Sequence, residues 1–130
     1  KHSPLLDIIK KIAQNNMKLI ITTDHGTVRV KSPVKVTASK STNTNLRYKV
    51  GRGMSYNEKD VFIVKNPEDA FLPRGRMSSE YIFAGNEDYF VYPNNYSHYV
   101  NYFLNTFQHG GVSLEEVLIP YIELTPKNKR

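Results

Sequence analysis

The stretch Leu19-Ile20-Ile21-Thr22-Thr23-Asp24-His25-Gly26 constrains this chain more than any other. Aliphatic and β-branched residues run together and stop abruptly at a carboxylate, an imidazole and a glycine. Such a run predicts a buried strand over residues 18–22. In an α/β protein a strand of this kind delivers polar groups to the carboxyl edge of a sheet, where ligands bind. Asp24 and His25 then offer an oxygen and a nitrogen donor of the type a zinc-like ion takes. The same pair also reads as a polar strand end followed by a turn.

The residues before this strand predict a helix feeding into it. Ser3 is placed to cap, Pro4 suits the first helical position, and Asp7 lies near the positive end of the dipole. Leu5, Ile8, Ile9 and Ile12 recur at helical spacing, and Asn15-Asn16 provides a stop. The start at Lys1-His2-Ser3, already close to a helix, suggests a piece of a longer protein.

Beyond Gly26, alternation predicts short strands over residues 27–31, 34–36 and 46–50, with basic side chains on one face. Residues 37–45 carry no hydrophobic anchor and read as a mobile loop. Residues 26–59 hold eight Lys and Arg against the single Glu58, while the whole chain has a net charge of +6. A concentrated positive field attracts phosphates, whereas the bland alternative is a solvated basic loop. Arg47 and Lys49, two apart on a strand, share a face and together with Arg29 are candidates to hold a phosphate backbone. Arg52 belongs to the same basic region, but Gly51-Arg52-Gly53 lacks the features of a phosphate loop and reads as a turn.

Residues 61–64 predict a short buried strand, and Asn66-Pro67 opens a helical turn that Pro73 ends. Arg74 and Arg76 offer a second anion contact. Residues 81–84 and 89–92 flank Gly85-Asn86-Glu87-Asp88 and predict a β-hairpin. Its aromatics suit core packing, with base stacking as the alternative. Tyr96, Tyr99, Val100, Phe103, Leu104 and Phe107 fall at helical spacing and predict one buried face after an Asn94-Asn95 cap. His98 lies off that face and reads as a surface histidine. His109 differs, because Gly110-Gly111 lets the backbone approach a bound ion or phosphate. Ser113 and Glu116 then form a capping box, and residues 117–124 return as a strand, with Pro120 marking an edge or bulge.

At 130 residues, 39% hydrophobic and 12% aromatic, the chain has the composition of one folded domain or a compact piece of one. With zero cysteines, any metal must use histidine and carboxylate donors, and the redox compartment fits the cytoplasm. No apolar run approaches the roughly 20 residues that span a bilayer, and no secretory signal is visible, so membrane insertion is not expected.

Two segments, residues 19–26 and Phe107-Gln108-His109-Gly110-Gly111-Val112-Ser113-Leu114-Glu115-Glu116 with Val117-Leu118-Ile119-Pro120 after it, carry a family resemblance. In this order they resemble the C-terminal half of a PglZ domain of the alkaline phosphatase superfamily. Residues 44–51, Tyr92-Pro93-Asn94-Asn95-Tyr96 and 107–116 look like the terminal region of a response regulator of Bacteroidetes type IX secretion. The resemblance covers essentially the whole chain. It implies an α/β fold, the C-terminal portion of a mixed sheet flanked by helices, with an inserted β-rich basic region. Residues 1–26 would be the helix and strand carrying Asp-His, 27–92 the basic insertion, and 93–130 the final helix, His-Gly-Gly segment and strand.

The resemblance further implies a two-zinc phosphodiesterase acting on nucleotides or oligonucleotides. Asp24 and His25 would hold the first ion and His109 the second, with Thr22, Thr23 or Gln108 orienting them. Arg29, Arg47, Lys49 and Arg52 would serve the substrate. The family's Thr or Ser nucleophile and its remaining Asp and His ligands have no match before Asp24, and His2 is not read as one. This piece alone is therefore expected to bind zinc weakly and to be inactive. The implied partners are an upstream receiver domain, a histidine kinase, a sigma factor and a second copy of the protein. A non-enzymatic reading stands beside it: a basic, aromatic-rich module that binds nucleic acid or a signalling protein.

Overall fold

The computed structural model describes residues 3–39, 42–73 and 79–127. In chain order the elements are α1 (Pro4–Gln14), β1 (Leu19–Thr22), β2 (Val28–Arg29), β3 (Ser32–Lys35), β4 (Tyr48–Gly51), β5 (Val61–Val64), β6 (Glu80–Ala84), β7 (Asp88–Val91), α2 (Tyr96–Phe103), β8 (Phe107–Gln108), α3 (Leu114–Val117) and β9 (Tyr121–Leu124). Short 3-10 turns at Glu58–Asp60 and Pro67–Ala70 flank β5. The architecture is mixed α/β, and the chain divides into two compact units. Among the described residues no helix is long and apolar enough to cross a membrane. Arg74 and Arg76 lie outside the described residues, as does Lys40 of the basic region.

The first unit comprises residues 1–24 and 119–130. Pro4 opens α1 as expected and Ser3 is its cap residue, although its hydroxyl makes no capping bond. β1 pairs antiparallel with β9, placing Leu19 opposite Leu124 and Thr22 opposite Tyr121. The Thr22 hydroxyl donates to the Pro120 carbonyl at 2.8 Å, so this threonine ties the two strand ends together. Ile9, Ile12, Ala13, Met17, Leu19 and Leu124 line one apolar hollow. No described residue of this unit is buried, so β1 is not the buried strand its composition predicts.

The second unit, residues 25–118, carries the core. β4, β6 and β5 form an antiparallel sheet with β6 in the middle, β3 pairs parallel with β7, and β2 pairs antiparallel with β8. Val34, Val36, Ile82, Ala84 and Phe90 form one buried cluster. Val28, Val30, Tyr89 and Val91 form a second, against which Tyr96, Val100 and Phe103 of α2 pack. Each such aliphatic or aromatic side chain removed from water contributes about 1.5–3 kcal/mol. The Tyr89 hydroxyl donates to the Val100 carbonyl at 2.8 Å, pinning α2 to β7.

Three expectations change here. β6 and β7 are not paired as a hairpin: β6 joins β4 and β5, while β7 runs parallel to β3. Residues 46–47 lie at the junction, where Ala84 N–H donates to the Arg47 carbonyl and Phe90 N–H to the Leu46 carbonyl, both at 2.8 Å. The Gly85, Asn86 and Asp88 carbonyls between and at the start of the strands accept from the Arg47 side chain. β5 is only half-sheltered, with Phe62 58% exposed. The periodic face of α2 ends early, because Asn105 adopts a left-handed backbone (φ 63°) and returns the chain as β8, leaving Phe107 70% exposed.

Candidate functional site

His25 opens the second unit, immediately before the tight passage at Gly26. Gly26 N–H donates to the Glu116 carbonyl at 2.9 Å. A Cβ there would stand 1.9 Å from the Glu115 carbonyl oxygen, so only glycine fits. Two residues later β2 begins, pairing Val28 with Gln108 and Arg29 with Phe107. Antiparallel register carries residue 109 back toward residues 25–27. The two imidazoles stack with centroids 3.8 Å apart and planes within 8°. His25 is half-buried and His109 exposed.

His25 Nδ1 lies 2.8 Å from the Gly26 carbonyl. A carbonyl only accepts, so Nδ1 carries a proton in this contact, and Nε2 is the nitrogen a metal would take, as in many metal-ligating histidines. Asp24, the covalent neighbour of His25, is exposed at the end of the first unit. Among the described residues no cluster of three or more His, Cys, Asp and Glu is placed to hold a metal. The two imidazoles therefore fit as part of a ligand set, and a zinc ion's usual three or four protein donors exceed what they supply.

A buried ion pair fixes the segment after His109. Arg47 Nε donates to Glu116 Oε1 at 2.9 Å and its NH2 to Oε2 at 2.7 Å, with both side chains shut away from solvent. The remaining guanidinium hydrogens go to the carbonyls of Gly85, Asn86 and Asp88. A guanidinium has five N–H donors, and all five are taken. Glu116 also accepts from Gly111 N–H at 2.8 Å and from the Ser113 hydroxyl at 2.8 Å. Burial pushes its carboxyl up, but the Arg47 bonds, the Gly111 N–H and Ser113 outweigh this and hold it below the ordinary glutamate value.

The expected capping box at Ser113 and Glu116 is present, and its glutamate also closes the ion pair. The glycines beside His109 serve the same structure. Gly110 takes a positive φ of 102°, and a Cβ on Gly111 would meet Glu116 Oε2 at 2.6 Å. Asn45 completes the support: its amide nitrogen donates to the His109 carbonyl at 3.3 Å, and its oxygen accepts from Arg47 N–H at 2.7 Å. Sequence reading missed Asn45, Arg47 and Glu116 as positioning residues. The only local signal was the capping box, because Arg47 and Glu116 stand 69 residues apart.

The basic strand expected to grip phosphate is corrected by this geometry. Arg47 is 0% exposed and spends every donor inside the protein, so none remains for a phosphate. Lys49 is 2% exposed, donates to the Asn43 carbonyl at 2.9 Å and faces the Tyr92 ring at 5.3 Å. The two do share a face, as alternation requires, but that face is internal. Arg29 and Arg52 are exposed, and Arg29 Nε donates to the Asn105 carbonyl at 3.3 Å. Lys31 pairs with Glu87 at 2.7 Å, further reducing the surface field, and Lys35 sits over the Tyr96 ring. Of the residues expected to orient the metal ligands, Thr22 bonds to Pro120 and Gln108 to Thr106. His98 is exposed and stacks on Tyr102.

The family model described as the BREX system PglZ alkaline phosphatase-like domain covers residues 2–124. No curated protein matches the chain.

Proposed function

Because the chain belongs to the PglZ alkaline phosphatase-like family, we propose that it supplies part of a two-zinc centre that hydrolyses phosphate esters. Asp24 and His25 would serve one ion and His109 the other. The observation carrying this reading is the parallel stack of His25 and His109 at 3.8 Å. An imidazole binds a metal in its own ring plane, and two parallel planes cannot both contain the same ion. The pair therefore suits two neighbouring ions, whose usual spacing of about 3.5–4 Å matches the stack. Paired zinc ions would neutralise charge developing on the phosphoryl oxygens.

The chain's own contribution is to hold the rings. The β2–β8 register brings them together, the Gly26 carbonyl sets the His25 tautomer, and the Arg47–Glu116 pair with Asn45 fixes the backbone after His109. Exposed Arg29 and Arg52 are the remaining candidates for contacting the substrate, which we take to be a nucleotide or oligonucleotide. The nucleophile and remaining ligands come from elsewhere in the domain in this reading. A PorX-like, dimeric regulator of type IX secretion would also carry an upstream receiver domain and act with a histidine kinase and a sigma factor as partners. The rival reading, a basic module that grips nucleic acid or a signalling protein, is weakened because two of its cations are internal.

The test is made in the parent protein. His109→Ala is expected to lower bound zinc and to cut hydrolysis of bis(p-nitrophenyl) phosphate by more than the about 10–100-fold that losing an outer-shell partner costs. Circular dichroism should be unchanged. Undiminished zinc content and turnover would remove His109 from the centre.

A further inference from the structure

A cleft of about 320 Å³ opens beside β7 and α2 in the second unit. Leu46, Phe90, Tyr92, Tyr99 and Phe103 give it apolar and aromatic walls, and Lys49 lines it as well. Thr44 and Asn94, both exposed, mark where it reaches solvent. The volume lies at the small end of ligand pockets, enough for one or two fused rings with a short substituent.

Lys49 makes this more than a packing defect. Its ammonium donates to the Asn43 carbonyl and faces the Tyr92 ring, which together leave its charge uncompensated. Among the described residues no carboxylate lies within ion-pair distance of it. Burial lowers its pKa to about 8, with no acidic neighbour to restore it. A desolvated cation is costly unless an anion joins it. One ammonium balances one negative charge, whereas a phosphate at about −1.5 to −2 would remain under-neutralised. Flat aromatic walls favour a flat partner.

We propose that this cleft binds a small planar aromatic monocarboxylate, its carboxylate paired with Lys49 and its ring held among Tyr92, Tyr99 and Phe103. The site is independent of the histidine pair and of the hydrolase reading.

The test uses isothermal titration of the chain with 2-naphthoate and with its neutral isostere 2-naphthamide. The wild-type protein should take up one naphthoate and prefer it over the amide by roughly tenfold or more, as a charge-assisted contact demands. Lys49→Met should erase the preference while leaving the amide's affinity in place. Replacing a buried unpaired cation by an apolar residue of similar volume should not unfold the protein, and the wild-type preference decides the matter should the variant fail. Equal binding of the two probes, no binding of naphthoate, or a preference that survives Lys49→Met would overturn the assignment.

Discussion

Replacing Glu116 by Gln changes one oxygen to an amino group and leaves the shape intact, yet neither orientation of the amide suits its surroundings. Oε1 accepts from Arg47 Nε and Gly111 N–H, while Oε2 accepts from Arg47 NH2 and Ser113 Oγ. Whichever position the NH₂ takes, it meets donors. The substitution also leaves the Arg47 guanidinium buried without its ion-pair partner. Breaking such a pair costs about 3–5 kcal/mol, a large share of the about 5–15 kcal/mol that holds a domain together. We expect Glu116→Gln to lower unfolding stability by that amount in urea titrations followed by circular dichroism and tyrosine fluorescence. Arg47→Met should cost at least as much, because it also takes a donor from the carbonyls of Asn86 and Asp88. The double variant Arg47→Met/Glu116→Leu should lose less than the sum of Arg47→Met and Glu116→Leu, by about 0.5–3 kcal/mol of coupling. A pH series supplies a second readout. A carboxyl held below its ordinary value of 4.5 contributes stability that is fully present above that pH and is lost as pH falls through the lower native value. That acid-side loss should shrink in Glu116→Gln. A penalty below about 1 kcal/mol, or strict additivity in the cycle, would refute the account of the pair.

Two further substitutions probe neighbouring features. Gly26→Ala places a methyl group 1.9 Å from the Glu115 carbonyl oxygen and should cost about 1–3 kcal/mol through forced displacement. It should also disturb the stacked histidines, read as altered imidazole proton shifts; an unchanged melting temperature would show that the passage is looser than drawn. Lys49→Met tests the internal lysine through pH. The unfolded chain holds this proton to 10.5 and the native state only to about 8, so wild-type stability should rise with pH from about 8. Comparison is best made below pH 10, because Tyr56, pushed up to about 12 by burial and by Glu80, acts in the opposite sense above it. A rise that persists unchanged in Lys49→Met would assign it to another group.

Local signals were legible in the sequence because local physics sets them. The Pro4 helix start, the β1 strand and the capping box at Ser113 and Glu116 each depend on residues a few positions apart. The motif pair around His25 and His109 was legible as well, and it carried the family. Alternation also placed Arg47 and Lys49 on one side of their strand. A period of two says which residues share a face, but it does not say whether that face is wet.

Tertiary structure alone decided the rest. Arg47 points inward because Glu116 and three carbonyls wait there, and no pattern within a short window encodes a partner 69 residues away. The backbone carbonyls of Leu46 and Arg47 take the N–H groups of Phe90 and Ala84 instead of the expected hairpin partner, while β6 pairs with β4 and β5 and β7 with β3. The contact between the two imidazoles depends on the antiparallel register of β2 with β8, a pairing of segments about eighty residues apart in the chain. Sequence thus offered the candidate side chains, because residue type and neighbours suffice for that. Long-range pairing determined which of them meet, since burial and register are properties of the whole folded unit.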